Sequence, residues 1–138
     1  MKRHIFLLYV LSVILLSCDD AKKDELEGKW QLIEVTAANG IVYPVDTVWY
    51  NSQNTLFMYQ LYETGTSTYR RCYGFKARDS ENRLLLELNS YPVEPYYIED
   101  FLLYTDWTSA QRIFTIALCT RKELILDSEG KQYRFRKY

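Results

Sequence analysis

Residues 122–138, KELILDSEGKQYRFRKY, contain two short runs of alternating character separated by a turn. In Gln132–Lys137, Tyr133 and Phe135 fall on one face and Arg134 and Arg136 on the other. A period of two belongs to a strand with one face buried. Ser128-Glu129-Gly130 supplies turn residues between this run and Lys122–Asp127, so the stretch predicts an antiparallel hairpin. The fold follows from how often this pattern recurs upstream.

It recurs several times. Arg112–Cys119 places Phe114, Ile116 and Leu118 together, and Arg83–Asn89 (RLLLELN) does the same with Leu84, Leu86 and Leu88. Thr55–Glu63 and Thr68–Lys76 are joined through Thr64-Gly65. Trp30–Thr36 leads to Asn39-Gly40, a strong hairpin turn because both positions tolerate positive φ, and Ile41-Val42-Tyr43 runs away from it. VDTVWYNSQN (45–54) reads as a loop, with Trp49 either lining an opening or anchoring the loop. Short period-two segments with turns about every ten residues predict an all-β domain. The exception is Glu94–Trp107, where Pro95 suits a helix start and Ile98, Phe101, Leu102 and Thr105 fall at helical spacing. A short helix or an irregular arm is expected there, as a lid or as edge packing. Seven or eight strands in sequential hairpins lose their exposed edges by closing into an antiparallel up-and-down β-barrel. A sandwich of the same strands is the alternative, although no long crossover connection is evident.

The N-terminus has a different character. Lys2, Arg3 and His4 precede a mostly apolar run, Ile5–Ser17, of a length that fits a secretory signal and is short for a membrane span. Leu15-Leu16-Ser17-Cys18 resembles the lipobox of bacterial lipoproteins, although Leu16 is bulkier than usual at its position. The resemblance implies cleavage before Cys18, a diacylglyceryl thioether on its sulfur and acylation of the new amino terminus. Three acyl chains, at about 0.8 kcal/mol per buried CH₂, make such an anchor effectively permanent. The expected organisation is a signal peptide at 1–17, a lipidated cysteine with an acidic tether at 18–27, and a barrel domain at 28–138. Asp19–Leu26 would span at most about 26 Å. The expected location is the cell envelope, held by lipid at the outer membrane. DDAKKDE (19–25) loosely resembles the surface-export signals of Bacteroidetes lipoproteins, and a solvated linker reads equally well.

The formal net charge is −1, and loss of Lys2 and Arg3 takes it to −3. No basic stripe suited to nucleic acid is present. With Cys18 acylated, Cys72 and Cys119 remain, each in an expected strand, as a disulfide pair or as two thiols. No CxxC or comparable spacing suggests a metal site, and no cofactor is implied. His4 is the one histidine and leaves with the signal, so histidine-based triads, acid–base chemistry and zinc ligation are excluded for the mature chain. The remaining enzymatic option is a carboxylate pair drawn from Glu94, Glu99 and Asp100, whose ordinary reading is acidic loop residues in water.

Glu27-Gly28-Lys29-Trp30 resembles the Gly-x-Trp opening of lipocalins. The pattern from LEGKWQLIEV (26–35) through NTLFMYQLYE (54–63) and RLLLELNSYP (83–92) to the closing hairpin is similar to the lipocalin-like domains of small Bacteroidetes lipoproteins. The resemblance implies a lipocalin-like barrel with Trp30 plugging one end. It also implies an arginine covering that tryptophan, for which Arg134 and Arg136 are the candidates.

Such a barrel is either filled by side chains or hollow enough for one small ligand. Tyrosine, with 13 copies, is the most abundant aromatic residue and suits a half-wet cavity. Tyr59, Tyr73 and Phe75 are expected on inward faces of adjacent strands, and Tyr97 and Trp107 on the arm. These five are the candidate ligand contacts, although core packing explains each of them as well. One reading is a membrane-tethered, non-catalytic barrel that binds a small apolar, aromatic or sugar-like molecule. The other is a filled barrel acting through its surface as an accessory or inhibitor of an envelope protein.

Overall fold

The computed structural model describes residues 25–80, 82–89 and 98–138. The lipobox with Cys18 and most of the tether, as well as Glu94, Pro95 and Tyr97, lie outside them. Among the described residues the chain forms nine strands and one short helix: β1 (Gly28–Thr36), β2 (Val42–Pro44), β3 (Val48–Gln53), β4 (Leu56–Glu63), β5 (Thr68–Arg78), β6 (Arg83–Leu88), α1 (Ile98–Leu102), β7 (Gln111–Cys119), β8 (Glu123–Ser128) and β9 (Lys131–Lys137).

Every strand pairing is antiparallel. Strands β3 to β9 pair in sequence, β3 also pairs with β1, and β9 returns to β1 with Trp30 opposite Lys137 and Thr36 opposite Gln132. Eight strands therefore close into an up-and-down barrel, and the sandwich is excluded. Strand β2 lies outside the ring, paired only with residues 34–36 of β1. The closing hairpin has a two-residue turn in which Glu129 and Gly130 both take positive φ (52° and 76°), as the right-handed twist of the flanking strands favours.

Three local expectations are corrected. Residues 45–54 are not a loop, because Val48–Gln53 is a barrel strand. Its adjacent Trp49 and Tyr50 bury on opposite faces, which hides the alternation. At Asn39-Gly40 only Gly40 is left-handed (φ 83°), and the Asn39 side chain instead accepts a hydrogen bond from the Ile41 amide at 3.1 Å. In β7 a register shift between Ile116 and Leu118 breaks the alternation, so Phe114 and Ile116 are buried while Leu118 turns outward.

Because neighbouring strands alternate in direction, the barrel has two distinct ends. The base gathers the start of β1, the β3–β4, β5–β6 and β7–β8 turns, and the end of β9. The mouth gathers the β4–β5 and β8–β9 turns and residues 98–110. Trp30, 1 % exposed, closes the base and donates its indole N–H to the Leu26 carbonyl at 2.9 Å. The cation over its ring is Lys137, with Nζ 4.4 Å from the centroid, and not an arginine. Alternation along β9 sends Arg134 outward to Glu34 and Glu123, and Arg136 outward to Gln31. Between the ends, β5 and β6 approach so closely at Gly74 that a Cβ there would lie 1.7 Å from the Glu87 carbonyl oxygen.

Candidate functional site

The mouth holds the chemistry. Helix α1 has only five residues, and a turn follows it in which Thr105 Oγ1 donates to the Leu102 carbonyl and accepts from the Trp107 amide, both at 3.0 Å. This segment turns two aromatic side chains into the barrel, Phe101 and Trp107, 1 % and 4 % exposed. Trp107 stacks parallel to Phe57 at 6.2 Å and meets Tyr59 edge-on at 5.7 Å. Its indole N–H donates to the Tyr50 hydroxyl at 3.0 Å, and the Tyr50 ring lies 4.9 Å from that of Tyr59. Burial pushes the pKa of both tyrosines well above the ordinary value, so both stay neutral donors and acceptors within an aromatic surround.

Above this layer lies a charged one. Arg112 points into the barrel from the second residue of β7 and is 3 % exposed. Its Nε donates to Ser128 Oγ at 3.1 Å, Nη1 to Asp106 Oδ1 at 3.1 Å and Nη2 to the Tyr133 hydroxyl at 2.6 Å, while Glu129 lies 3.3 Å from Nη2. The Tyr133 hydroxyl donates to Asp106 Oδ2, and Lys131 approaches the same oxygen at 3.5 Å. Burial alone would lower the Arg112 pKa, but the Asp106 carboxylate and the two tyrosines outweigh it and the net direction is upward. Burial and the bond to Asp106 push Tyr133 upward as well. The guanidinium also lies over the Phe114 and Tyr133 rings, 5.2 and 4.9 Å from their centroids.

The candidate ligand contacts separate into two groups. Tyr59 and Trp107 meet inside the barrel at the mouth. Tyr73 and Phe75 do not, because the inward Tyr59 lies opposite Cys72 while Tyr73 and Phe75 pair with the outward Met58 and Leu56. Shifting a register by one residue exchanges the faces of a strand, and Phe75 is 47 % exposed as a result. Trp49 does not line the mouth either. It is buried on the outer face of β3, 6.0 Å from each of the Tyr69 and Tyr138 rings. Glu99 and Asp100 are exposed on α1. Cys72 and Cys119 are thiols on β5 and β7, with β6 between them. Two strand spacings of about 4.8 Å exceed the roughly 7 Å Cα reach of a disulfide.

Sequence reasoning missed Arg112, Asp106 and Tyr50, and it put Tyr133 on a strand face with Phe135 without a role at the mouth. For Arg112 the signal was present, since it shares the parity of Phe114 and Ile116 and is thus a charge on the apolar face of a strand. Asp106 carried no such signal, because its partners come from β7 and β9.

A closed eight-stranded barrel with a tryptophan-plugged base and a mouth covered by one helical connection belongs to the class of small β-barrels that enclose side chains or a single ligand. A family model for the lipocalin-like domain matches residues 13–138, and the chain belongs to that family. A solved lipocalin-like protein from Bacteroides uniformis superposes with a TM-score of 0.72 at 24 % identity, over 83 % of this chain and 100 % of its own. An uncharacterized protein from Bacteroides eggerthii superposes with a TM-score of 0.67 at 26 % identity, over 81 % and 98 %. No curated protein matches the sequence.

Proposed function

We propose that this protein is a membrane-tethered, non-catalytic barrel that takes a small apolar or aromatic molecule into its interior through the mouth. The observation that carries the reading is that Phe101 and Trp107, which fill the interior beneath the mouth, come from residues 98–110 and not from the barrel wall. The rings they leave exposed on departure, among them Tyr50, Phe57 and Tyr59, form an aromatic lining with two hydroxyls for orientation. Anchoring rests on the lipobox at Leu15–Cys18. A tether leading from it reaches the barrel at the base, where the Asn54 amide donates to Glu27 at 2.7 Å, so the mouth would face away from the membrane. Native mass spectrometry of the protein purified from its own host tests the carrier reading: a co-purifying small molecule is expected, and its consistent absence argues against it. Metabolic labelling with a fatty-acid analogue tests the anchor, since Cys18→Ser is expected to lose the label.

One observation favours the surface-acting alternative. On the outer face of β4 to β7, Leu56, Phe75 and Ile113 are 54 %, 47 % and 49 % exposed, with Leu56 directly opposite Phe75. Exposed apolar side chains gathered on one face are a feature of interaction surfaces. A protein that co-purifies in place of a small molecule, and is released by Phe75→Asp, would favour this reading.

A further inference from the structure

The barrel wall holds an unneutralised cation that is completed from outside the wall. Arg112 sits at an inward position, and the wall residues that bond it, Ser128 and Tyr133, offer only neutral hydroxyls. Its carboxylate partners stand on a connection and a turn: Asp106 in the 98–110 segment, and Glu129 between β8 and β9. A buried arginine without an anion is strongly disfavoured, so an anion at this position is a requirement of the fold and not an ornament. The wall recognises that anion in a specific way. Arg112 Nη1 reaches one oxygen of Asp106, and the Tyr133 hydroxyl and Lys131 Nζ reach the other, so both oxygens of a single carboxylate are bound. Next along the chain, Trp107 lays its ring among Tyr50, Phe57 and Tyr59. Asp106-Trp107 thus presents an acid group at the mouth, against Arg112, beside an aromatic body in the interior of the barrel.

From this arrangement we propose that Arg112 and Tyr133 form a carboxylate-binding site, that Asp106-Trp107 occupies it as an internal surrogate, and that the ligand is an apolar or aromatic molecule bearing one acid group. The proposal rests on the carrier reading above and adds the polar end of the ligand to it. On binding, the carboxylate of the ligand replaces Asp106 on Arg112 and Tyr133, its apolar body replaces the Trp107 ring, and the charge that faces Arg112 is unchanged. A neutral molecule of the same shape would displace Asp106 without replacing its charge, leaving Arg112 only the more exposed Glu129. The site therefore discriminates against esters and alcohols.

The test uses the full chain in nanodiscs, titrated calorimetrically with 1-naphthaleneacetic acid and with its methyl ester, after subtraction of empty nanodiscs. The acid is expected to bind at least about tenfold more tightly than the ester. Asp106→Asn, which removes the competing carboxylate, is expected to raise the affinity for the acid and widen the ratio of acid to ester. Arg112→Met is expected to abolish the preference for the acid. Equal binding of both probes to the wild-type chain overturns the carboxylate site and leaves the carrier reading standing. Unchanged or weakened acid binding in Asp106→Asn overturns the role of Asp106 as a surrogate. Binding of neither probe, to wild type or to Asp106→Asn, overturns the site and the carrier reading together.

Discussion

Lys137, the penultimate residue, lies over the Trp30 ring although two arginines stand close to it in sequence. The pairing of β1 with β9 decides this, by setting Trp30 opposite Lys137 and Gln31 opposite Arg136. A cation over an aromatic face at a partly exposed site contributes about 0.5–1 kcal/mol. Lys137→Met is therefore expected to cost about that much in urea unfolding and to shift the Trp30 indole N–H resonance. Arg136→Met should leave that resonance in place, and the opposite result would contradict the register. Trp30→Ala, by contrast, removes the base plug and is expected to cost about 3–5 kcal/mol. The same logic of parity separates Tyr59 from Tyr73. Both are tyrosines in alternating strands, but only Tyr59 is in phase with Phe57 and Leu61, and only it turns into the barrel.

The strands owe their existence to local pattern and their irregularities to neighbours. Gly74 lies in the middle of β5, and its missing side chain is required by the approach of the Glu87 carbonyl from β6. Gly74→Ala would have to push the two strands apart, because backbone cannot yield as the end of a flexible side chain can. A loss of about 1–3 kcal/mol is expected for such overpacking, read as a lower midpoint in thermal or urea unfolding. Gly65→Ala makes a control, as no atom lies within 4 Å of the position a Cβ would take there. Helix α1 is an element of a different kind. Its sequence spacing brings Phe101 inward with Ile98 and Leu102 packed beside it, but five residues make too few hydrogen bonds to hold it without the barrel beneath.

The closed barrel turns several ionisable groups into acids that must stay neutral. Burial pushes the Cys72 thiol from 9.0 up to about 11, and raises Tyr50, Tyr59 and Tyr133 above their ordinary value of 10.0. In each case the unfolded chain releases its proton at a lower pH than the folded one. The stabilising contribution is therefore complete below about pH 9 and is lost progressively as pH rises above it. Urea midpoints measured from pH 8 to 11 are expected to fall from about pH 9 onward. A flat profile over that range would contradict the burial of these groups. At this scale the division between sequence and fold becomes clear. Alternation and turn residues, which act over a few positions, were enough by themselves to determine the all-β class, the hairpin order and the shared face of Tyr133 and Phe135, and helical spacing marked residues 94–107 as a short helix or an irregular arm. Relations between distant residues were left to the tertiary structure: the strand hidden in VWYNSQ, the outward turn of Tyr73 and Phe75, the separation of the cysteines, and the meeting of Asp106 with Arg112 and Tyr133. A strand's own period says which of its residues share a face, but only its pairing with neighbours says which face is inside.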